Sequence, residues 1–232
     1  MLDETSVEGK TITAAMKLAA DRSWTEITLR DVALSAGLTL SDLRGRVSSK
    51  TDILIGLLKA ADGEVLRNAE QVDLSQAPRD RLFEVLMSRF DTLEPYKAGL
   101  KSVAQSASFT PIIVRHILAS QAWMLTVAGI NADGISGGVK TAGLASVYAQ
   151  TFRTWLADDD LGLARTMAAL DRHLRRGERT ISSMSEACKC ARQARRALGN
   201  VLMCAVTGSR RSTQADPSPD GPEHENGERL NV

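Results

Sequence analysis

Residues 28–52 read TLRDVALSAGLTLSDLRGRVSSKTD, and the reading of this stretch decides the fold. One device recurs in it: a Ser or Thr followed three positions later by an acid, the pattern that satisfies the free N–H groups of a helix start. Thr28 with Asp31, Thr39 with Asp42 and Ser49 with Asp52 carry it, and Thr5 with Glu8 carries it once more upstream. Each pair stands before an apolar stripe, so helices are predicted to start near residues 6, 29, 40 and 50. Leu29, Val32 and Ala33 form one apolar side, Gly37 is free to take the left-handed conformation of a sharp helix exit, and Leu38, Leu43 and Val47 supply the apolar side beyond it. Two short helices joined by a tight glycine turn make a helix-turn-helix.

Working outward, Ile12, Ala15, Met16 and Ala19 recur at helical spacing upstream, and Trp24 and Ile27 read as apolar plugs beneath the next loop. Downstream, Ile53, Leu54, Leu57, Leu58 and Leu66 form the stripe of a long helix connecting this head to the rest, loosened at Gly63. DLSQAP at 73–78 breaks the pattern, and from Pro78 a second series opens with Leu82, Phe83, Leu86, Met87 and Phe90 as a wide apolar face. Pro95, the Thr110–Pro111 pair and AGINADGISGG at 128–138 divide the region beyond it, predicting an apolar helix from Pro111 to Ala128 and another from Val139 to Leu156. DDDLGLARTMAALDRHLRRGER at 158–179 reads as an amphipathic helix with acids at its start and arginines at its end, as the helix dipole favours.

A basic amphipathic helix is expected over 182–206, with Met184, Cys188, Leu198 and Leu202 on one face and Lys189, Arg192 and Arg196 on the other. Residues 207–232 are too polar to offset their ordering entropy and are expected to be disordered. Scarce aromatics, short β-branched runs and abundant alanine, leucine and arginine make the fold class all-α. The expected organisation is a helix-turn-helix head at 8–55, a connecting helix and linker at 56–77, a helical bundle at 78–206 and a tail at 207–232.

A chain of 232 residues, 43% of them hydrophobic, can bury a proper core, and its net charge of +1 leaves any nucleic-acid surface to local clusters of arginine and lysine. Cys188, Cys190 and Cys204 crowd near the C-terminus in no disulfide framework, which fits a reducing cytoplasm. The acidic, polar N-terminus has no signal-peptide core, and no apolar run approaches the roughly 18 residues of a spanning helix, so a soluble protein is expected. His116, His173 and His224 lie far apart, and Cys188 and Cys190 point to different faces of a helix, so no metal site is expected. With no phosphate-binding glycine loop, nucleophile elbow or credible triad, neither catalytic residues nor a cofactor is expected, and the chain does not read as an enzyme.

The stretch ITLRDVALSAGLTLSDLRGRVSSKTDIL resembles the N-terminal DNA-binding domain of the TetR family of transcriptional regulators, over roughly residues 8 to 60. Thr28, Ala36, Gly37, the run from Leu40 to Val47, and Ser49 with Lys50 carry the resemblance. It implies an all-helical homodimer on double-stranded DNA, with a near-palindromic operator and a body that pairs with its twin and often holds a small, apolar ligand. Family members usually place aromatic residues and a histidine late in the recognition helix, then a phenylalanine; here Arg44, Gly45, Arg46 and Val47 stand there. Within this reading Thr39, Ser41 and Arg44 would touch bases or nearby phosphates, Arg30, Arg46 and Lys50 would neutralise phosphates, and Thr28 belongs to the same surface.

In the body, Phe90, Phe109, Trp123, Met124, Tyr148, Phe152 and Trp155 are candidates to line a ligand cavity, the alternative being an ordinary core and dimer interface. The segments at 79–100 and 141–174 are also similar to the lipid-binding accessory proteins of ubiquinone biosynthesis, which have a TetR-like fold and need not bind DNA. That resemblance implies an alternative, a lipid-binding accessory protein with peripheral membrane contact through 182–206.

Overall fold

The computed structural model describes residue 3, residues 5–106 and residues 110–180. The basic helix expected over 182–206, the three cysteines, His224, the tail from 207 and Phe109 lie outside the described residues. Among the described residues the regular structure is helical throughout and no strand occurs. The elements are α1 (Val7–Asp21), α2 (Leu29–Ala36), α3 (Leu40–Arg44), α4 (Lys50–Arg67), α5 (Pro78–Leu93), α6 (Lys97–Gln105), α7 (Pro111–Val127) and α8 (Gly134–Leu156), followed by α9 at 164–180.

The helix starts follow their capping chemistry. At α2 and α3 the Thr28 and Thr39 hydroxyls accept the N–H of Asp31 and Asp42, whose carboxylates accept the threonine N–H in return. At α4 the Asp52 half of the device operates: its carboxylate accepts the N–H groups of Ser48 and Ser49, at 2.9 and 3.0 Å. The pairing of Thr5 with Glu8 does not form. Asp3 captures the Thr5 hydroxyl and N–H, and Ser6 caps α1 instead by accepting the N–H of Gly9. Gly37 ends α2 at φ 65°, in the left-handed region, and turns the chain into α3.

α1 is the centre of the head, packed against α2, α3 and α4, and it also packs against α6 of the body. Ile12, Ala15, Met16 and Ala19 are buried as their spacing requires, together with Trp24 and Ile27 from the following loop. In α4 the buried stripe ends on Ala61 and Val65, while Leu66 turns outward. Gly99 of α6 lies so near α1 that a Cβ there would come within 2.5 Å of the Met16 carbonyl oxygen. Beside it the Ser102 hydroxyl accepts the Trp24 N–H at 3.0 Å and donates to the Arg22 carbonyl.

Around α5 the body packs α4, α7 and α8, with Val85, Leu86, Phe90, Leu93, Met124 and Trp155 at its centre. The buried side of α5 is rotated from the expected stripe: Leu82, Phe83 and Met87 are half-buried, whereas Arg81 and Arg89 turn inward. Arg81 gathers three carbonyls, those of Leu74, Gln76 and Ala128, and so fastens the 73–77 linker to the end of α7. α8 begins at Gly134, not Val139: the glycine-rich stretch is already helical, and its buried Gly137 sits against the backbone of Ala132, where no side chain fits. At the far end Lys97 donates to the Asp158 carbonyl and lies over the Trp155 ring, while the Trp155 indole N–H donates to Glu94. The buried Asp158 carboxylate then accepts the N–H and hydroxyl of Thr166, anchoring the first turn of α9.

Candidate nucleic-acid interface

The residues proposed to meet DNA fall into two groups once their bonds are followed. Arg30 of α2, Ser41 and Arg44 of α3, and Arg46 in the turn after it are exposed, and within the described residues none of their side chains has an internal partner. Thr28 and Thr39 are also exposed, but each hydroxyl donates to its capping carboxylate, at 2.8 and 2.6 Å, while accepting that acid's N–H. A hydroxyl has one proton to give, so neither threonine can donate to a phosphate while its cap is closed. The Thr39 hydroxyl and then its N–H hold the Asp42 carboxyl below the usual carboxylate range, so the acid stays folded back on the helix start.

Lys50 does not face solvent as a phosphate contact would. Its ammonium donates to the carbonyls of Trp24, at 2.5 Å, and Ile27, at 2.8 Å, and sits 4.9 Å from the centre of the Trp24 ring. Partial burial pulls its pKa down. Two carbonyls and an aromatic face make it an internal strut between α4 and the corner after α1, which replaces the phosphate role expected of it.

The helix expected to carry recognition, α3, is also shorter than the expected run from Leu40 to Val47. α3 closes at Arg44, Gly45 continues it by one residue at φ −67°, and the N–H groups of Arg46 and Val47 both fold back onto the Leu43 carbonyl. With valine at 47 and arginine at 44, little bulk fills the space beside the helix. Leu29, Leu40, Leu43 and Val47, with Ser41, Arg44 and Ser48, line a hollow of about 430 Å³ there. Leu40 is 54% exposed at its edge. The sequence reading missed this feature, although a leucine directly after a capping threonine on so short a helix was its visible signal.

Of the residues suggested for a ligand cavity, Trp123 stands apart from the rest. Trp123 is 54% exposed on the outer side of α7, while Met124, its neighbour, is fully buried. Phe90, Tyr148, Phe152 and Trp155 pack on one another: the Phe90 and Tyr148 rings stack at 5.3 Å, and Phe152 stands 5.9 Å from Tyr148 and 5.4 Å from Trp155. These rings pack against one another within the body. Against them lies a polar group the sequence reading overlooked, Arg89 of α5 bonded to Asp62 of α4, which also receives the Ser120 hydroxyl of α7. Arg89 lies in phase with buried Arg81 and Val85 at four-residue steps, a periodicity that marks it as inward despite its charge.

No group of His, Cys, Asp and Glu among the described residues could hold a metal ion, and none of the described helices is long and apolar enough to cross a membrane. No protein-family model and no curated protein matches the chain. Solved structures do. A TetR transcriptional regulator from Nitrosomonas europaea superposes with a TM-score of 0.61 at 21% identity, covering 75% of this chain and 98% of that one. A TetR transcriptional regulator from Rhodococcus sp. RHA1 gives 0.56 at 18% identity, over 72% of this chain and 93% of that one. A TetR-family regulator from Streptomyces coelicolor gives 0.53 at 14% identity, over 87% and 97%. The chain has the all-α TetR fold.

Proposed function

We propose that this chain is a DNA-binding transcriptional regulator, working as a homodimer on a near-palindromic operator, with a head at 8–55 that meets DNA and a body at 78–206 that pairs with its twin and holds a small ligand. One observation carries the reading. On the outer side of the helix-turn-helix, Arg30, Ser41, Arg44 and Arg46 are exposed and uncommitted, while the neighbouring Thr28, Asp31, Thr39 and Asp42 are closed into caps. The fold shared with the three regulators supports it.

α3 enters the major groove, where Arg44 can grip guanine O6 and N7 and the Ser41 hydroxyl can reach a base edge or phosphate. Arg30 and Arg46 flank it and neutralise phosphates, which gives affinity without sequence information. Leu40 and the hollow beside it offer an apolar seat for a thymine methyl, a base contact that the recognition helix gains where aromatic side chains are absent. In a two-fold dimer the paired α3 helices stand about 34–36 Å apart or slightly more, one turn of duplex. A ligand in the body favours one spacing of the heads over another and so shifts the population competent to bind. No step of this reading is catalytic.

The direct test is selection of random duplexes by the full-length protein, followed by titration of the enriched sequence at several salt concentrations. The expected result is a palindrome whose affinity falls with salt and with Arg44→Ala. A selection that enriches nothing, from protein that purifies with bound isoprenoid or fatty lipid, overturns the regulator in favour of a lipid-carrying accessory protein.

A further inference from the structure

We infer that the buried cluster of Arg89 and Tyr148 in the body, together with Gln121, is the binding site for a small organic carboxylate. The inference rests on the ligand-controlled reading above for its regulatory meaning, but not for its chemistry. Arg89 is wholly buried, and its Nε donates to Asp62 Oδ1 at 2.8 Å. Among the described residues Nη1, Nη2 and the hydroxyl of Tyr148 are buried without a well-formed hydrogen bond, the Tyr148 ring lying 4.6 Å from the guanidinium carbon with Arg89 and Tyr148 close enough to act on each other. Gln121, next to Ser120 on α7, is also wholly buried with both ends of its amide unbonded. Three helices, α5, α7 and α8, thus bring uncommitted polar atoms into the core of the body.

Their chemistry is lopsided. The two Nη atoms, the phenol and the glutamine nitrogen are donors, and burial pushes the Tyr148 pKa up against the pull of the Arg89 charge, so that its proton is retained. Buried donors in such excess call for a partner rich in acceptor oxygens. The free edge of Arg89 presents two parallel N–H groups, the geometry that matches a carboxylate bidentately. Asp62 already places one negative charge on the same guanidinium, which disfavours a dianion such as phosphate and favours a singly charged, planar one. Phe90 stacked on Tyr148, and Met124, keep the surroundings apolar, so the charged contact is shielded from solvent screening.

The experiment uses the full chain in thermal unfolding and calorimetric titration with benzoate, phenylacetate and hexanoate, each beside its neutral amide, and with inorganic phosphate. At least one carboxylate is expected to raise the melting temperature and bind, with its amide and phosphate inactive at the same concentration. Tyr148→Phe and Gln121→Leu remove atoms that make no well-formed hydrogen bond among the described residues, so both variants should fold, and each should weaken the active carboxylate roughly five- to tenfold. If no carboxylate outperforms its amide, if phosphate acts equally well, or if both variants bind unchanged, the assignment falls and the orphan donors are served by water alone. DNA binding measured on the same samples separates the two proposals. Operator binding with no carboxylate effect sinks this one alone; carboxylate binding with no operator sinks only the regulator.

Discussion

The head and the body differ in how many polar groups they leave unpaired inside. In the head, Thr13 Oγ1 is the one buried side-chain polar atom without a partner among the described residues; the caps are closed and Lys50 is bonded to two carbonyls. Its uncommitted groups, Arg30, Ser41, Arg44 and Arg46, all face outward. The body has such exposed groups too, Arg115 and Arg153 among them, but it also leaves buried atoms without a partner among the described residues, on Arg89, Gln121, Tyr148 and one oxygen of Asp158. Buried polar atoms without a partner are uncommon in folded proteins, so their concentration in the body sets it apart from the head.

The largest effect expected of a single change is in the body. Arg89→Met leaves Asp62 without its cation and should cost about 3–5 kcal/mol in urea unfolding. Replacing both partners, Arg89→Met with Asp62→Leu, should recover most of that loss, because an apolar pair of similar bulk does without the buried ions. A double variant as unstable as the single one would show that the ion pair holds the body together, erasing the contrast with the head.

Arg44→Ala is the head's counterpart. It should lower affinity for the selected duplex by about 1–3 kcal/mol, read as a shift in the binding midpoint. Its unfolding free energy should stay within about 0.5 kcal/mol of the parent, as for surface changes that break no structural contact. Lys50→Met divides the two roles of a basic residue within the head. It should destabilise by about 1–3 kcal/mol, since two part-buried carbonyls lose their donor. The salt dependence of DNA binding should not change, whereas Arg46→Ala should reduce that slope by about one. A reduced slope for Lys50→Met would return it to the DNA surface.

Thr39→Ala opens the cap of α3 and should cost about 1 kcal/mol in thermal unfolding. The smallest effect is with pH. Hydrogen bonds from the Thr28 N–H and hydroxyl, and from the Thr39 hydroxyl and N–H, lower the pKa values of Asp31 and Asp42. Their contribution is therefore complete above the ordinary carboxylate range and fades as pH falls through the depressed values. Circular dichroism should record a slight loss of helix at that acid edge, absent when both acids are replaced by asparagine.

How much of this was written in the chain depends on the kind of signal. Capping at Thr28, Thr39 and Ser49 and the turn at Gly37 are local events, decided within four residues, and they could be read directly. The end of α3 was not legible, because Gly45 tolerates either continuation or exit, and the return of the Arg46 and Val47 N–H groups to Leu43 depends on packing. Lys50 looked like any exposed lysine, since its acceptors, the Trp24 and Ile27 carbonyls, lie more than twenty residues upstream. Arg89 was hidden for the same reason: a charged residue reads as a solvated face until Asp62 and Ser120, from two other helices, are placed against it. Trp123, read as lining a cavity or else as part of the core and dimer interface, stands on the surface, a position that its residue type alone does not decide.

The meeting of Gly99 with the Met16 backbone has a mechanical meaning. Two helices in backbone contact have no side-chain cushion between them, so α6 cannot shift towards α1 without pushing it bodily. The serine beside that contact grips the corner at Trp24, and the strut from Lys50 carries the same corner to α4. Body and helix-turn-helix are thus joined through that corner as by a short rigid crank, with no soft layer between them to absorb a push.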